Sequence, residues 1–310
     1  MIISASRRTD IPAFYSAWLM NRIRTGYCLV PNPFNAKQIS RVSLAKEDVD
    51  AFVFWSKNPQ PMLGLLDELT DRGFIYYFQY TLNDYPHALE PKVPAVERRL
   101  ETFHELARRL GPARVVWRYD PIIITPNTGY QFHAAAFEKL TSLLRGATRR
   151  VVVSVVDLYR KTDRRMTAIA DDGFGIDSDA ATNPEMLQLL SHISRVAATA
   201  DIMSFSCAEE QDFTKAGVRP GSCIDCDLIS ALGGRVSAKK DAGQRPACRC
   251  VTSRDIGIND TCLHGCTYCY STRNDELAHQ RHAQHDPSSP VLFGHAEDPE
   301  PKGSHQLRLL

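Results

Sequence analysis

Short apolar runs and amphipathic stretches alternate along the first two-thirds of the chain. The apolar runs are Ile2–Ala5, Ala51–Trp55, Phe74–Leu82, Ala113–Tyr119, Arg150–Val156 and Ile202–Phe205. They are rich in β-branched and aromatic residues and read as strands. The stretches between them, Ala13–Arg24, Pro61–Arg72, Val96–Leu110, Phe132–Leu144 and Pro184–Ala200, read as helices. Leu100, Phe103, Leu106 and Leu110 recur at helical spacing, with Glu101, Arg108 and Arg109 on other faces. Asn183-Pro184 supplies a cap and a first-turn proline. Repeated strand–helix units imply a parallel sheet, because parallel neighbours need crossover connections. The expected fold is α/β: a partial, TIM-like (β/α) barrel, with an open doubly wound sheet as the second choice.

The pattern changes at Cys207. We divide the chain into a barrel body over residues 1–206, a Cys-rich metal-binding segment over 207–270 that completes the barrel, and a polar tail over 271–310. Gly217–Ala247 is rich in Gly and charged residues, with one short helical pattern near Leu228–Leu232. Most of the tail reads as loosely ordered, with Pro290–Gly294 able to dock on the body. No internal repeat of fixed period is visible.

Composition adds little until the cysteines. The 310 residues are 43% hydrophobic and 24% charged, with a net charge of +1, an ordinary globular balance. Near-neutrality gives no global case for binding nucleic acid or anionic membrane. Met1–Arg8 does not read as a secretory signal, and no apolar run is long enough to span a bilayer. The expected location is the cytoplasm, with no membrane partner. There, nine cysteines point to metal or redox chemistry rather than to disulfides. Cys28 stands alone, and the other eight fall between Cys207 and Cys269.

In parallel barrels chemistry gathers at the carboxyl ends of the strands. The residues there are polar: Ser6 to Asp10, Ser56-Lys57-Asn58, Thr81 to Asp84, Arg118-Tyr119-Asp120, and Asp157 with Arg160 and Lys161. Each residue alone reads as a cap or a surface ion pair. The recurrence of Arg tilts the set toward an anion-binding pocket.

Cys262-Leu-His-Gly-Cys266-Thr-Tyr-Cys269 is the sharpest signal. Three thiolates at this spacing can hold three irons of a 4Fe–4S cluster and leave the fourth open. Gly265 would let the backbone approach, and Tyr268 can pack its ring beside the cluster. The alternative is zinc, with His264 as fourth ligand.

Ile256 to Tyr270, with His-Gly-Cys and Tyr-Cys-Tyr, resembles the cluster loop of the radical-S-adenosylmethionine, DNA-repair-photolyase-like group that includes spore photoproduct lyase. Elements that follow the loop in that group resemble segments at the start of this chain: Ile2–Asp10, Phe52–Lys57, Leu89-Glu90-Pro91 through Leu100, and Arg118–Pro121. The resemblance implies a circular permutation, with the first strand and cluster loop moved to the C-terminus. From Met1 to about Gly294 the chain also resembles the domain-of-unknown-function 1848 family, through its opening Ser-Ala-Ser-Arg-Arg-Thr-Asp and closing Cys-rich loop. No thiol stands at Ser6–Asp10, where the lyase places its hydrogen-donating cysteine.

The resemblance to the radical-S-adenosylmethionine group implies a radical enzyme, while the domain-of-unknown-function 1848 resemblance supplies no reaction. A 4Fe–4S cluster on Cys262, Cys266 and Cys269 would reductively cleave S-adenosylmethionine and abstract hydrogen from an unknown substrate. Arg8, Thr9, Asp10, Lys57, Arg118, Asp120 and Tyr268 are the candidate cofactor-binding residues, Arg suiting a carboxylate and Asp the ribose hydroxyls. An electron donor such as a flavodoxin or ferredoxin would be needed. By spacing, Cys223, Cys226, Cys248 and Cys250 read as a zinc site. A second iron–sulfur cluster could take Cys207 in place of Cys226, and inert buried thiols are the third reading. Resemblance favours Cys207, Cys223, Cys248 and Cys250. The alternatives for the whole chain are a DNA-repair lyase, with a basic groove from Arg41, Arg145, Arg149, Arg150 and Arg164, and a non-catalytic iron–sulfur or zinc protein.

Overall fold

The computed structural model describes residues 1–156 and 160–295. Asp157 lies outside the described residues, as do the side chains of Arg160 and Lys161 and the tail beyond 295. A parallel eight-stranded sheet runs β10–β1–β4–β5–β6–β7–β8–β9. In chain order these strands are β1 Ile2–Ala5, β4 Ala51–Ser56, β5 Tyr76–Thr81, β6 Val115–Ile122, β7 Arg150–Val155, β8 Met203–Cys207, β9 Arg219–Gly221 and β10 Arg254–Asp255. From β1 to β9 spatial order follows chain order. No reversal point exists, as a doubly wound sheet would require.

Alternation along the strands separates two faces. Ile3, Phe52, Phe54, Tyr76, Phe78, Trp117 and Val151 face the larger core, against α1 (Ile11–Phe14), α2 (Ser16–Thr25), α4 (Val96–Leu110), α5 (Tyr130–Leu143) and α7 (Pro184–Ala198). Ile2, Val53, Tyr77, Val116 and Val152 point the other way. That face is covered by Ile224, Leu228 and Ile229 around α8 (Cys226–Ala231), together with Cys223, Cys248, Cys250 and Val251. The strands are therefore apolar at successive positions, as expected when both faces are buried.

Helix α4 shows how the sequence encodes an element. Val96, Leu100, Phe103 and Leu106 are buried, and the helix stops at Gly111, whose φ of +83° favours glycine. Arg99 also lies on the buried face, at 3% exposure.

The structure revises several expected boundaries. The first helix breaks at Tyr15 into α1 and α2. Residues 61–72 divide into a 3₁₀ segment, Gln60–Leu65, and α3, Leu66–Asp71. The strand expected from Ala113 starts at Val115 and runs on to Ile122, because Pro112–Arg114 form a 3₁₀ turn. An antiparallel hairpin of β2 (Tyr27–Asn32) and β3 (Asn35–Ser43) was not foreseen. Its second strand is mostly polar and shows no strong apolar alternation. α6 spans Arg160–Thr167.

The described part of the tail is more regular than expected. α9 covers Asp275–Ala283, capped by Asn274. Beyond it, Trp18, Asn21 and Arg22 donate to the carbonyls of Ser289, Pro287 and Ser288. Val291 and Leu292 are buried, which places Pro290–Gly294 against the body. No helix among the described residues is long and apolar enough to cross a membrane.

His133 of α5 is fully buried, between the Tyr119 hydroxyl (2.8 Å) and the Ile123 carbonyl (3.0 Å). Burial depresses its pKa to about 4. The unfolded chain therefore binds this proton first, and the stabilisation present above pH ~6.5 is lost as pH falls toward 4. The shift corresponds to about 3 kcal/mol. Urea unfolding of the parent and of His133→Gln from pH 7 to 4 should show a steeper loss in the parent. Parallel curves would exclude His133 as the origin.

Candidate metal centres

Parallel strands bring their carboxyl ends to one edge, so residues distant in sequence meet there. β10 lies beside β1, with Ile3 paired to Arg254. The loop leaving β10 therefore crosses the carboxyl ends of β1 and β4. It carries Cys262, Cys266 and Cys269.

Asp10 anchors this loop. Its Oδ1 caps α1 by accepting from Ala13 N (3.0 Å). Its Oδ2 accepts from Lys57 N (2.8 Å) and His264 Nε2 (2.8 Å). Lys57 Nζ reaches Glu90 Oε1 (2.7 Å) and the Tyr268 hydroxyl (2.9 Å), and Tyr268 also donates to Glu90. Arg99 Nη1 stands 3.8 Å from Glu90 Oε2. Burial opposes charge on Glu90 and Lys57, but their mutual attraction outweighs it, so the carboxyl pKa is lowered and the ammonium pKa raised. On the other side, Arg165 donates to the carbonyls of Cys266 (3.1 Å) and Cys269. Gly265 takes a φ of +65°, a turn that would strain another residue.

The three thiols influence one another electrostatically. Burial first, then Cys269, Asp10 and Cys266, push Cys262 well above the usual thiol range. Burial takes Cys266 up to about 12 even though Lys57 pulls it down. Ser271 N donates to Cys269 Sγ (3.4 Å).

The second group lies against the inner face of the sheet. Cys207 Sγ is 2.8 Å from Cys223 Sγ. Cys250 lies within electrostatic reach of Cys223 and Cys248, although no three of these sulfurs stand within 4.8 Å of one another. Arg118 Nη1 donates to Cys223 Sγ (2.6 Å), and Arg7 is in electrostatic contact with Cys250 and Cys223. Tyr77 and Gln79 fix the Cys223 carbonyl at 2.6 and 2.7 Å. Cys226 lies apart, its Sγ near the neighbouring Asp227 carboxylate (3.6 Å). Cys28 is in the main core, and burial raises it to about 12, as for an inert thiol.

The opening Ser6 to Asp10 thus meets the cysteine loop. Residues 2–271 match the family model Domain of unknown function (DUF1848). The chain belongs to this family. No curated protein matches it. The DUF1848 span ends just past Cys269, so it takes in β10, the loop and both cysteine groups.

Within this DUF1848 chain the expected cofactor-binding residues divide. Asp10 accepts from Ala13 N, Lys57 N and His264 Nε2, so most of its carboxylate is committed to the fold. Arg118 is paired with Asp120 (Nε–Oδ2 3.0 Å) and bound to Cys223, so both belong to the second group. Lys57 and Tyr268 are tied to Glu90. Among the described residues, the Arg8 guanidinium donates to the Gly257 carbonyl (3.3 Å), and Thr9 Oγ1 is buried without a partner. Sequence reasoning quoted Arg7, Trp55, Glu90 and Arg99 within motifs without giving them a role, and passed over Arg165. Arg99 was legible as a charge on the apolar stripe of α4. Trp55, which both Arg7 and Arg118 stack against at 5.4 and 5.1 Å, carried no such signal.

Of the basic residues named for a nucleic-acid groove, Arg41 stands apart from Arg145 and Arg150. Arg41 sits on the hairpin over the Tyr27 ring, and Arg145 donates to the Thr199 carbonyl. Arg150 opens β7, at the sheet edge opposite the cysteine loop, and pairs with Asp225. Among the described residues, the trio whose metal-binding atoms all lie within 4.8 Å is Asp225, Cys226 and Asp227. Asp225 there caps α8, accepting from Asp227 N (2.8 Å) and Leu228 N (3.1 Å).

Glu90→Gln should cost about 3 kcal/mol in urea unfolding, because Lys57 and Arg99 stay buried without a carboxylate. Adding Lys57→Met should cost clearly less than the two single losses combined. Additive losses would show that the cluster is not coupled.

Proposed function

We propose that this protein is a radical-S-adenosylmethionine type iron–sulfur enzyme built on a circularly permuted partial (β/α) barrel. One observation carries the reading: the triplet Cys262, Cys266, Cys269 hangs from β10, the first strand in spatial order of a singly wound parallel sheet and the last in sequence. Moving β10 and its loop to the front would restore a continuous strand order.

The donor set suits an open cluster. His264 holds Asp10 through Nε2, a pairing that also orients metal-bound histidines, so the cluster reading rests on the cysteine spacing and not on His264. The spacing also suits a cubane, which holds its cysteines further apart than a single ion does. With S-adenosylmethionine on its open iron, such a cluster supplies one-electron reductive cleavage and hydrogen abstraction. The chain's own residues do the positioning. Arg165 holds the loop carbonyls, Asp10 fixes His264, and Tyr268 and Lys57 shield the side of Cys266. Lys57 offsets negative charge there. Arg8 and Thr9 keep polar atoms available for the cofactor. A flavodoxin or ferredoxin would deliver the electron, in keeping with a cytoplasmic location. Arg145 and Arg150 lie around the amino end of β7, away from the cysteine loop, which favours the radical-enzyme reading over a DNA-repair lyase.

Anaerobic reconstitution with iron and sulfide, followed by electron paramagnetic resonance, tests the proposal. A reduced 4Fe–4S signal should shift on adding S-adenosylmethionine and vanish in Cys266→Ala. A signal indifferent to the cofactor, or uptake of zinc alone at the loop, would sink it.

A further inference from the structure

We infer that the Arg7 guanidinium, set against Trp55 at the carboxyl edge of the sheet, is a substrate-binding group that takes a single carboxylate. Its role toward a substrate rests on the radical-enzyme reading; its binding of an anion does not.

Arg7 follows β1, and its backbone is held from two sides. Its N–H donates to Asp255 Oδ2 (2.9 Å), and its carbonyl accepts from the Tyr270 hydroxyl (3.0 Å) and Ser271 Oγ (3.1 Å). The side chain has no such partner. Its guanidinium rests on the Trp55 ring (5.4 Å), and Nη2 is buried without a hydrogen bond. A buried cation without a bonded anion is costly, so the position points to an anionic ligand. Asp255 attracts Arg7 but has its oxygens filled. Oδ1 accepts from Ser6 Oγ (2.6 Å) and Gly257 N (3.0 Å), and Oδ2 from Ser4 Oγ (3.0 Å) and Arg7 N. The remaining neighbours are Cys250, Cys223 and Tyr270, and sulfur is a weak acceptor.

Charge selects the ligand. Arg118 also stands against Trp55 (5.1 Å), but Asp120 already neutralises it (Nε–Oδ2 3.0 Å). Of the two guanidiniums, Arg7 alone lacks a carboxylate partner among the described residues. One unmatched positive charge suits one negative charge, and a carboxylate meets the planar fork of a guanidinium through two parallel hydrogen bonds. A phosphate would add further negative charge where Asp120 and Asp255 already act on Tyr270.

Position selects the role. Tyr270 follows Cys269 directly, so the Arg7 group adjoins the cysteine loop. Trp55 is fixed by its Nε1 bond to Ser4 Oγ (3.1 Å). Arg7 and Trp55 are half-buried and Tyr270 is exposed, which leaves the group within reach of solvent. Arg8 sends its guanidinium to the Gly257 carbonyl instead, so the consecutive arginines have different partners.

The test uses the full chain with propionate and with inorganic phosphate at constant ionic strength, followed by calorimetry and tryptophan fluorescence. Trp18 and Trp117 are fully buried, so Trp55 should report the ion. Propionate should bind at a single site and more tightly than phosphate. Arg7→Gln should weaken it by about thirtyfold or more, whereas Arg8→Gln should bind it as the parent does. If Arg7→Gln fails to fold, Trp55→Phe should keep the calorimetric binding and lose the fluorescence change. No saturable propionate binding, tighter binding of phosphate, parental affinity in Arg7→Gln, or a fluorescence change that survives Trp55→Phe would each overturn the inference. The resonance shift with S-adenosylmethionine should survive Arg7→Gln; its loss there would assign Arg7 to the cofactor and overturn the inference as well. A parent chain that binds propionate through Arg7 but shows no such shift would uphold the anion site and remove only the radical-enzyme reading.

Discussion

One buried carboxylate joins the beginning, the middle and the end of this chain. Asp10 accepts from the first turn of α1, from the backbone after β4 and from the imidazole in the cysteine loop. A carboxylate at 5% exposure needs hydrogen-bond donors to be stable, and three donors from three segments fill three of its four lone-pair sites. The position of the loop over the sheet edge follows from that satisfaction. So does the approach of Lys57 to Glu90 and Tyr268, since the Lys57 backbone is held by the same oxygen as His264.

The sheet itself imposes the second constraint. Its strands are parallel and apolar on both sides, so each face must be covered. Helices cover one. The other is covered by the segment between β8 and β10, which is poor in apolar residues apart from Ile224, Leu228, Ile229 and Val251. Cysteines complete that inner layer, and Arg118 enters it with Asp120 and the sulfur of Cys223 as partners.

Between the two cysteine groups stands a short bridge. Tyr270, next to Cys269, donates to the Arg7 carbonyl (3.0 Å), and the Arg7 side chain faces Cys250 and Cys223 across Trp55. Ser6 and Asp255 brace it, since Asp255 accepts from Ser6 (2.6 Å) and Arg7 N (2.9 Å). Gly257 is confined there, because a Cβ would fall 2.1 Å from Ser6 Oγ. The opening Ser-Arg-Arg-Thr-Asp thus supplies both a hub for the loop and a guanidinium for the inner group.

The sequence by itself determined the alternation of strands and helices, the parallel class, the change of character at Cys207 and the existence of two groups of cysteines. Those features rest on local periodicity and residue chemistry, which a chain carries wherever its segments end up. It left open whether Cys207 or Cys226 joins the second group, since spacing does not tell which sulfur faces inward. The tertiary structure decided that, by ending β8 with Cys207 toward Cys223 and starting α8 with Cys226 toward Asp227. It also decided that Asp10, Arg118 and Asp120 are spent on protein partners, and that Glu90, Arg99 and Arg165 flank the loop. Those outcomes depend on which carboxyl ends become neighbours and on which buried charges must be paired. They are long-range facts, fixed only when β10 takes its place beside β1.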